Sequence, residues 1–239
     1  MKHIVSLSGG KDSTAMLLMM LEKNMPIDEI IFCDTGMEFP AMYTHLDKVE
    51  QYTGRKITRL KSERSFEYYM FERKKTHGKN IDRSGLQWPI PILRWCTGRL
   101  KTKPYKKYIK EKYKGEETIT YIGIAYDEPE RRKKAKSFHV HPLFDWQITE
   151  KQALQYCYDR GFNWNGLYEM FNRVSCWCCP LQSLKELYQL YTHFPEFWQK
   201  LKDMDRQANN NFRSDYTVEQ LEKRFKTRKR YEDNQTLLW

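Results

Sequence analysis

Short apolar runs alternate with amphipathic stretches through the first half of the chain. The predicted strands fall at residues 4–7, 29–33, 56–60 and 118–124, and the apolar run at residues 29–33 is of the kind found in buried parallel strands. Intervening stretches, at residues 14–23, 40–53 and 105–113, have the apolar spacing of helices. Alternation of strand and helix with short connections predicts right-handed crossovers and an α/β fold, in which a mostly parallel twisted sheet carries helices on both faces.

The pattern changes after Gly161, where helical stretches rich in Trp, Tyr and Phe replace the alternation of strands and helices. We therefore expect two domains, an α/β domain of residues 1–150 and a helical, cysteine-containing lobe of residues 151–239. Residues 73–85 have little apolar content and two glycines, which predicts a mobile loop.

Two pairs of residues in the second half have the spacing of a capping box, in which side chain and backbone bond reciprocally at a helix start. They are Thr149 with Gln152 and Thr217 with Gln220, so helices should begin at both places. The last of these helices runs into a basic segment, residues 223–230. That segment is either a solvated helix face or a contact for a nucleic-acid backbone.

A glycine turn at residues 8–13 follows the first predicted strand and precedes the first predicted helix. Gly9 and Gly10 permit a positive φ and a close backbone approach, the helix dipole adds a partial positive charge, and Lys11 adds a full one. Such a turn attracts a polyphosphate. The familiar kinase-type phosphate loop is excluded, because its first glycine would fall at Val5.

A second polar segment, residues 34–40, follows the second predicted strand. Ligands of open α/β sheets bind beyond the carboxyl ends of the strands, so this segment should lie over the same cleft as the glycine turn. Asp34 and Glu38 are therefore candidates for a magnesium ion or a substrate group, the alternative being that they cap the next helix.

The 239 residues carry a net charge of +11, and 15% of them are aromatic, which points to phosphate-bearing partners. Either a nucleic acid binds, or the charge serves only solubility and a small nucleotide. The first three residues lead straight into a strand, without room for a signal segment, and no apolar run reaches membrane-spanning length. We expect a cytoplasmic protein without membrane association, whose six cysteines are metal ligands or reactive thiols rather than disulfides.

Three motifs resemble one enzyme superfamily. Residues 8–13 match the Ser-Gly-Gly-x-Asp-Ser of the PP-loop (N-type) ATP pyrophosphatases, and residues 34–40 resemble the Asp-Thr-Gly-x-x-Phe-Pro of their phosphoadenosine phosphosulfate (PAPS) reductase branch. Residues 142–146 resemble the Pro-Leu-x-x-Trp of the same branch. The resemblance implies a HUP-like PP-loop domain that binds ATP, or a related adenine nucleotide, with Mg²⁺ and cleaves ATP at the α-phosphate.

The resemblance also implies roles for individual residues. The loop would bind the outer phosphates, with Lys11 stabilising the departing pyrophosphate and Asp12 positioning magnesium or the attacking group. The implied phosphate-binding residues are Ser8, Gly9, Gly10, Lys11, Asp12 and Ser13. The branch usually has an arginine near the substrate phosphates where this chain has Ala125, so we expect Arg131 or Arg132 to compensate.

The cysteines resemble the iron-sulfur version of the same branch. Cys96 and the pair Cys176 and Cys179 match three ligands of its [4Fe-4S] cluster, and Thr97 stands in the place of the fourth. Either Cys178 is the fourth ligand, or one iron stays open, as in several PP-loop tRNA thiolases. The same thiolates would equally bind zinc, or stay free. Cys33 and Cys157 are assigned to packing.

Three functions remain open at this point. The first is ATP-dependent adenylylation for sulfur transfer to, or modification of, a nucleic acid (tRNA or DNA), with a sulfur donor such as a cysteine desulfurase and Cys178 as ligand or persulfide carrier. The second is sulfonucleotide (PAPS) reduction, which the lack of a cysteine after Cys179 disfavours, since that reaction needs a nucleophilic thiolate. The third is a non-catalytic nucleotide-binding partner protein.

Overall fold

The computed structural model of the chain describes residues 1–74, 84–133, 138–174 and 176–236, with side chains up to residue 229. Five strands form one sheet in the order β3-β2-β1-β4-β5, and every neighbouring pair is parallel. The strands are β1 Lys2–Ser6, β2 Glu29–Asp34, β3 Ile57–Lys61, β4 Thr118–Ile122 and β5 His139–Val140. The predicted α/β fold with a parallel sheet is confirmed.

Helices connect the strands and continue beyond the sheet. The first six are α1 Lys11–Glu22, α2 Pro40–Thr53, α3 Lys103–Lys112, α4 Pro129–Lys133, α5 Pro142–Asp145 and α6 Glu150–Asp159. Four more follow the sheet, namely α7 Leu167–Met170, α8 Leu184–His193, α9 Pro195–Gln207 and α10 Val218–Thr236. Wider π-helical turns occur at Tyr68–Glu72 and Thr97–Thr102, and a 3₁₀ turn at Trp164–Gly166.

The sheet is covered on both faces, as predicted. Val5 of β1 packs into the main core, which also contains apolar residues of α1, α2 and α6. Its neighbour Ile4 points to the other face, where Tyr105, Tyr108 and Ile109 of α3 pack beside it. This alternation of successive β1 residues follows from the two-residue period of a strand.

Several boundaries differ from the predicted ones for local reasons. Helix α1 begins at Lys11, three residues earlier than predicted, because the glycine turn itself supplies the N-cap at Gly10. Strand β4 ends at Ile122 rather than at residue 124. There the backbone of Gly123 passes against the start of α1. The π-helical turn ahead of α3 was not predicted.

Capping boxes begin α6 and α10 at the predicted places. The Thr149 amide donates to Gln152 Oε1 (2.9 Å) and the Gln152 amide to Thr149 Oγ1 (3.3 Å). Thr217 and Gln220 form the same reciprocal pair, with distances of 2.9 and 3.2 Å. The basic segment of residues 223–230 lies within the range of α10.

The predicted boundary at residue 150 stays a prediction, although α6 packs against α1 and the main core extends into α8, α9 and α10. Most of the predicted loop at residues 73–85 lies outside the described residues. None of the helices in the described part of the chain combines the length and apolar character needed to cross a membrane.

Candidate functional site

The glycine loop closes tightly between β1 and α1. Gly9 has φ of +77°, and a Cβ there would lie 2.5 Å from the sulfur of Met42, so only glycine fits. On the other side, a Cβ on Gly123 would lie 2.8 Å from the backbone of Ser13. These two approaches from α2 and β4 fix the path of the loop.

Side chains of the loop and of the helical lobe hold its backbone. The Ser8 amide donates to Ser13 Oγ (3.1 Å), and the Ser13 hydroxyl donates to the Gly10 carbonyl (3.0 Å). From the lobe, the Trp164 indole N–H donates to the Gly9 carbonyl (2.7 Å), and the Tyr168 hydroxyl accepts from the Lys11 amide (2.7 Å). One amide of the predicted anion site is therefore already bonded to a tyrosine that the sequence did not single out.

Three carboxylates converge beside the loop. One oxygen each from Asp12, Glu128 and Glu150 lies within 4.8 Å of the others, and Lys11 Nζ contacts Glu150 at 2.9 Å and Asp12 at 3.5 Å. Burial raises the pKa of Asp12 from its ordinary 3.8 to about 6, against the attraction of Lys11. Oxygen Oδ1 of Asp12 is buried without a hydrogen-bond partner among the described residues. A hard divalent cation such as Mg²⁺ fits this set of oxygens.

Sequence reasoning found Asp12 but missed Glu128 and Glu150. Glu128 follows the carboxyl end of β4, so the rule that singled out Asp34 after β2 would also have found it. Glu150 is the first residue of α6, directly after the predicted cap Thr149. For Tyr168 and Trp164 the sequence carries no local signal, because tertiary packing of the helical lobe brings them to the loop.

Asp34 lies buried at the end of β2, outside this group of carboxylates. Its side chain accepts from the Gly36 amide and the Tyr43 hydroxyl, both at 2.8 Å, and pairs with Lys61 at 3.1 Å. Burial opposes ionisation, but the hydrogen bonds from Tyr43 and Gly36 and the charge of Lys61 outweigh it and lower the pKa of Asp34. The contacts give Asp34 a role in holding the loop after β2, and its predicted role toward a ligand stays a prediction.

Glu38 joins the loop after β2 to the cysteine motif. Its carboxylate accepts from the Thr35 hydroxyl (2.8 Å) and from the Cys176 thiol (3.8 Å), and lies 3.9 Å from Lys101 Nζ. Glu38 and Cys176 also form an isolated antiparallel bridge, and the Trp177 amide donates to the Met37 carbonyl (3.0 Å). The predicted ligand candidate Glu38 therefore lies at the cysteines, and it is not one of the three carboxylates at the glycine loop.

The four cysteines predicted as ligands line one cavity of about 210 Å³. Cys96 directly precedes the second π-helical turn, and the other three cysteines, Cys176, Cys178 and Cys179, lie in the loop before α8. Phe66, Pro89 and Leu100 contribute apolar wall, and Arg94 and Lys101 contribute positive charge. The structure thus brings together residues that lie about eighty positions apart in the sequence.

Thiolates in such a cavity are ligands for an iron-sulfur cluster or for zinc. No three of the four sulfurs lie within 4.8 Å of one another among the described side chains. A tetrahedral zinc site with Zn–S bonds of about 2.3 Å needs sulfurs about 3.8 Å apart. Burial raises the pKa of Cys176 to about 12, and it also raises the pKa of Cys178 and Cys179. Such thiols ionise when a positively charged centre binds them.

Arg131 and Arg132 stand on α4, next to the three carboxylates. Arg131 pairs with Glu128, and Arg132 lies 3.7 Å from Asp145. Ala125, where the family's arginine is expected, is fully buried. The pairing with Glu128 brings Arg131 to the edge of the glycine-loop site, which is compatible with the predicted compensation.

Similar proteins occur in archaea and in bacteriophages. Two uncharacterized proteins of Methanocaldococcus jannaschii are each 29% identical to the chain, over 85% and 83% of its length. A nin region protein of Escherichia phage lambda is 28% identical over 56% of the chain and 51% of its own length. The chain spans 41% and 46% of the two archaeal relatives, so it covers less than half of each.

One solved structure resembles the fold, and a second gives a weaker match. A phosphoadenylyl-sulfate (PAPS) reductase from Candida auris, in complex with phosphate, superposes with a TM-score of 0.50 at 19% identity, over 74% of this chain and 82% of that one. A U34-tRNA thiolase from Methanococcus maripaludis with its [4Fe-4S] cluster gives a TM-score of 0.41 at 15% identity, over 86% of this chain and 71% of that one.

The family assignment rests on a family model that matches more than half of the chain. A family model described as the phosphoadenosine phosphosulfate reductase domain matches residues 2–182, which includes the glycine loop, the loop after β2 and all four pocket cysteines. The parallel sheet, the loop between β1 and α1 and the similarity to a solved PAPS reductase agree with that match. The chain belongs to the phosphoadenosine phosphosulfate reductase domain family.

Proposed function

We propose that this protein binds ATP at the glycine loop and directs an acceptor to the α-phosphorus, so that pyrophosphate leaves and the acceptor is adenylylated. The observation that carries the proposal is the junction of residues 8–13 with the carboxylates of Asp12, Glu128 and Glu150. It combines a tight glycine turn at a helix start with a buried lysine and a set of oxygens suited to Mg²⁺.

The chain's own residues account for binding and orientation in this reaction. The loop amides and Lys11 would take the β- and γ-phosphates, with Lys11 exchanging its contact with Glu150 for the nucleotide. Asp12, Glu128 and Glu150 would hold Mg²⁺, which neutralises charge on the departing pyrophosphate. For the loop to accept phosphate at the Lys11 amide, the Tyr168 hydroxyl must turn away or share that donor.

We further propose that the modification delivers sulfur to a nucleic acid. Support comes from the cavity lined by Cys96, Cys176, Cys178 and Cys179, whose thiols are compatible with a [4Fe-4S] cluster, and from the net charge of +11. When bound, such a cluster would supply sulfur chemistry beside Glu38 and Lys101. Cys178, buried in the cavity wall, is either a ligand or a carrier of persulfide sulfur from a donor such as a cysteine desulfurase.

The test is pyrophosphate release from ATP and Mg²⁺ without nucleic acid, where water is the acceptor and AMP the second product, measured for the purified protein and for Lys11→Ala. We expect release by the wild type and at least a hundredfold loss in the variant, because Lys11 supplies the only full positive charge within residues 8–13. Metal content, measured on the same samples, should be unchanged, since Lys11 is not among the residues that line the cysteine cavity. Unchanged turnover in the variant would remove the loop from the reaction. Release without any added partner would also argue against a purely non-catalytic role.

Sulfonucleotide reduction is the second candidate, and the family match favours it. It predicts sulfite release from PAPS in the presence of thioredoxin, with no pyrophosphate from ATP. Incubating the protein with labelled PAPS and thioredoxin separates the two functions, and sulfite as the product would replace our first proposal.

A further inference from the structure

Helix α3 presents a row of lysines to solvent. Its apolar side, with Tyr105, Tyr108 and Ile109, packs against the sheet. The opposite side and the turn after the helix are exposed and line a broad groove, whose lysines are Lys103, Lys106, Lys107, Lys110 and Lys114. Among the described side chains, Lys106, Lys110 and Lys114 make no ion pair. We call the five lysines of the groove the α3 lysine face.

A cavity at the end of β3 continues the α3 lysine face. Its volume is about 210 Å³, and it shares Lys103, Lys107 and Glu111 with the groove. Lys61 and Arg99 add positive charge, while Tyr69 and Tyr108 add aromatic wall. Across both surfaces seven cationic side chains face two carboxylates, of which Glu63 pairs with Lys107 at 2.7 Å. The combined surface therefore attracts a polyanion rather than a single phosphate.

The α3 lysine face begins next to the cysteine cavity. The π-helical turn Thr97–Thr102 leads directly into α3, and its residues line three surfaces in turn. Thr97, Leu100 and Lys101 line the cysteine cavity, Arg99 lines the cavity at β3, and Gly98 and Thr102 line the lysine groove. A chain lying along α3 would thus reach the turn whose residues also line the cysteine cavity.

The other basic helix is engaged within the fold. In α10, Arg224 donates to the Tyr216 hydroxyl (2.8 Å), Arg228 lies over the ring of Tyr188 (4.1 Å) and Lys226 pairs with Glu222 (2.7 Å). These contacts use the charges that the sequence analysis considered for nucleic-acid binding. They make α10 the weaker of the two candidate surfaces.

We propose that the α3 lysine face binds the sugar–phosphate backbone of the nucleic-acid acceptor and leads it toward the cysteine cavity. This proposal rests on the proposed function for its acceptor, and adds which surface holds it. From Lys103 to Lys110 the helix rises about 10 Å. That length corresponds to about three phosphates of one strand at about 3.4 Å each. The aromatic wall of the cavity at β3 suits stacking of one base beside that backbone.

The test is fluorescence anisotropy with a labelled, unstructured single-stranded RNA of about 20 nucleotides, titrated at several NaCl concentrations. One variant combines Lys106→Gln, Lys110→Gln and Lys114→Gln. A matched control combines Lys223→Gln, Lys226→Gln and Lys229→Gln, so that both lose three charges. We expect the Kd of the α3 variant to rise at least about tenfold, and the slope of log K against log salt to become shallower by about 2, at about 0.7 per contact. The control should change less than threefold.

Every other result overturns the proposal. Equal weakening in both variants would mean that bulk charge alone binds RNA, and weakening confined to the control would place the contact on α10. Absence of binding by the wild type would contradict the surface itself. Thermal melting checks that both variants fold. Pyrophosphate release from ATP without RNA should be unchanged in the α3 variant. If the wild type binds RNA through α3 but releases no pyrophosphate, the proposed function is overturned and the α3 proposal stands.

Discussion

At the scale of single residues, Asp12 shows how burial makes a charged side chain of the glycine loop costly. Its side chain is 19% exposed, and the two neighbouring glutamates repel its charge. The ionised form is therefore costly until a cation or a repositioned Lys11 compensates. This cost lowers the stability of the fold at any pH where Asp12 is ionised.

Asp12→Asn should stabilise the protein above pH 6. The pKa of Asp12 is about 6 in the folded protein and about 3.8 when unfolded, so the folded state loses stability as pH rises from about 4 to 6. Removing the carboxylate should raise the free energy of unfolding at pH 8 by up to about 3 kcal/mol, at about 1.4 kcal/mol per pKa unit. Urea denaturation at pH 8 and pH 4 measures it. A gain of the same size at pH 4 would contradict the assignment.

Gly123→Ala should disturb the loop from the side of β4. The added methyl group would lie 2.8 Å from the backbone of Ser13, which cannot give way without moving the start of α1. We expect a loss of about 1–3 kcal/mol in stability and weaker ATP binding. Gly98→Ala is the control, since a Cβ there meets nothing within 4 Å. Equal effects of the two substitutions on thermal melting and ATP titration would refute the packing argument.

The residues of the glycine loop could be predicted because their chemistry is local. Two glycines, a lysine and an aspartate at fixed spacing already define the turn. Tyr168, Trp164 and Glu150 could not be predicted in the same way, because each reaches the loop from more than 130 positions away. Their contacts depend on how the helical lobe packs, which no local pattern encodes.

At the scale of elements, the loop between β2 and α2 packs against the cysteine motif. Sequence position at the carboxyl end of a strand predicted that residues 34–40 lie over the cleft of the glycine turn, which stays a prediction, and in the structure Thr35 lines the cysteine cavity. It did not predict that Glu38 turns toward Cys176, because the cysteine loop approaches only in the folded chain. Thr35 contacts both Glu38 and Cys176, so the folded chain fixes this loop to the cysteine motif.

Glu186 holds the start of α8 to the segment that leads into the cysteine loop. Its buried carboxylate accepts from the amides of Ser183 (2.9 Å) and Asn172 (3.1 Å). Glu186→Ala would leave these donors unpaired and should cost about 2–3 kcal/mol of unfolding free energy. Ser183→Ala, which removes only the cap, should cost about 1 kcal/mol. Chemical denaturation of both variants measures these losses. A loss of unfolding free energy for Glu186→Ala that is smaller than the loss for Ser183→Ala would disprove the bridging role of Glu186.

Cys96→Ser should reduce the metal content of protein purified without oxygen. Cys96 is the one pocket cysteine that lies outside the loop before α8, so its loss opens the cavity wall at the π-helical turn. Cys33→Ser is the matched control, because Cys33 donates to the Lys101 carbonyl (3.6 Å) and does not line the cavity. Metal analysis with an ultraviolet–visible spectrum provides the measurement. Equal metal in both variants, or none in the wild type, would exclude Cys96 as a ligand.

At the scale of the whole molecule, strand–helix alternation was enough to predict the parallel sheet covered on both faces. The strand order and the continuous core between sheet and helical lobe could not be predicted, since both depend on contacts between distant segments. The same holds for the binding surface. The net charge of +11 predicted a polyanionic partner, but the structure is needed to distinguish Lys106, Lys110 and Lys114 of α3, which make no ion pair among the described side chains, from the basic residues of α10 that contact the fold.

The most direct test of the central claim is a crystal structure with Mg²⁺ and α,β-methylene-ATP, which cannot be cleaved between the α- and β-phosphates. We predict that the β- and γ-phosphates lie against the amides of residues 8–13 and Lys11 Nζ, with Mg²⁺ on Asp12. The α-phosphorus should then face the open side of the cleft. A triphosphate bound elsewhere, or a Lys11 amide bonded to Tyr168 with no phosphate at the loop, would contradict the account.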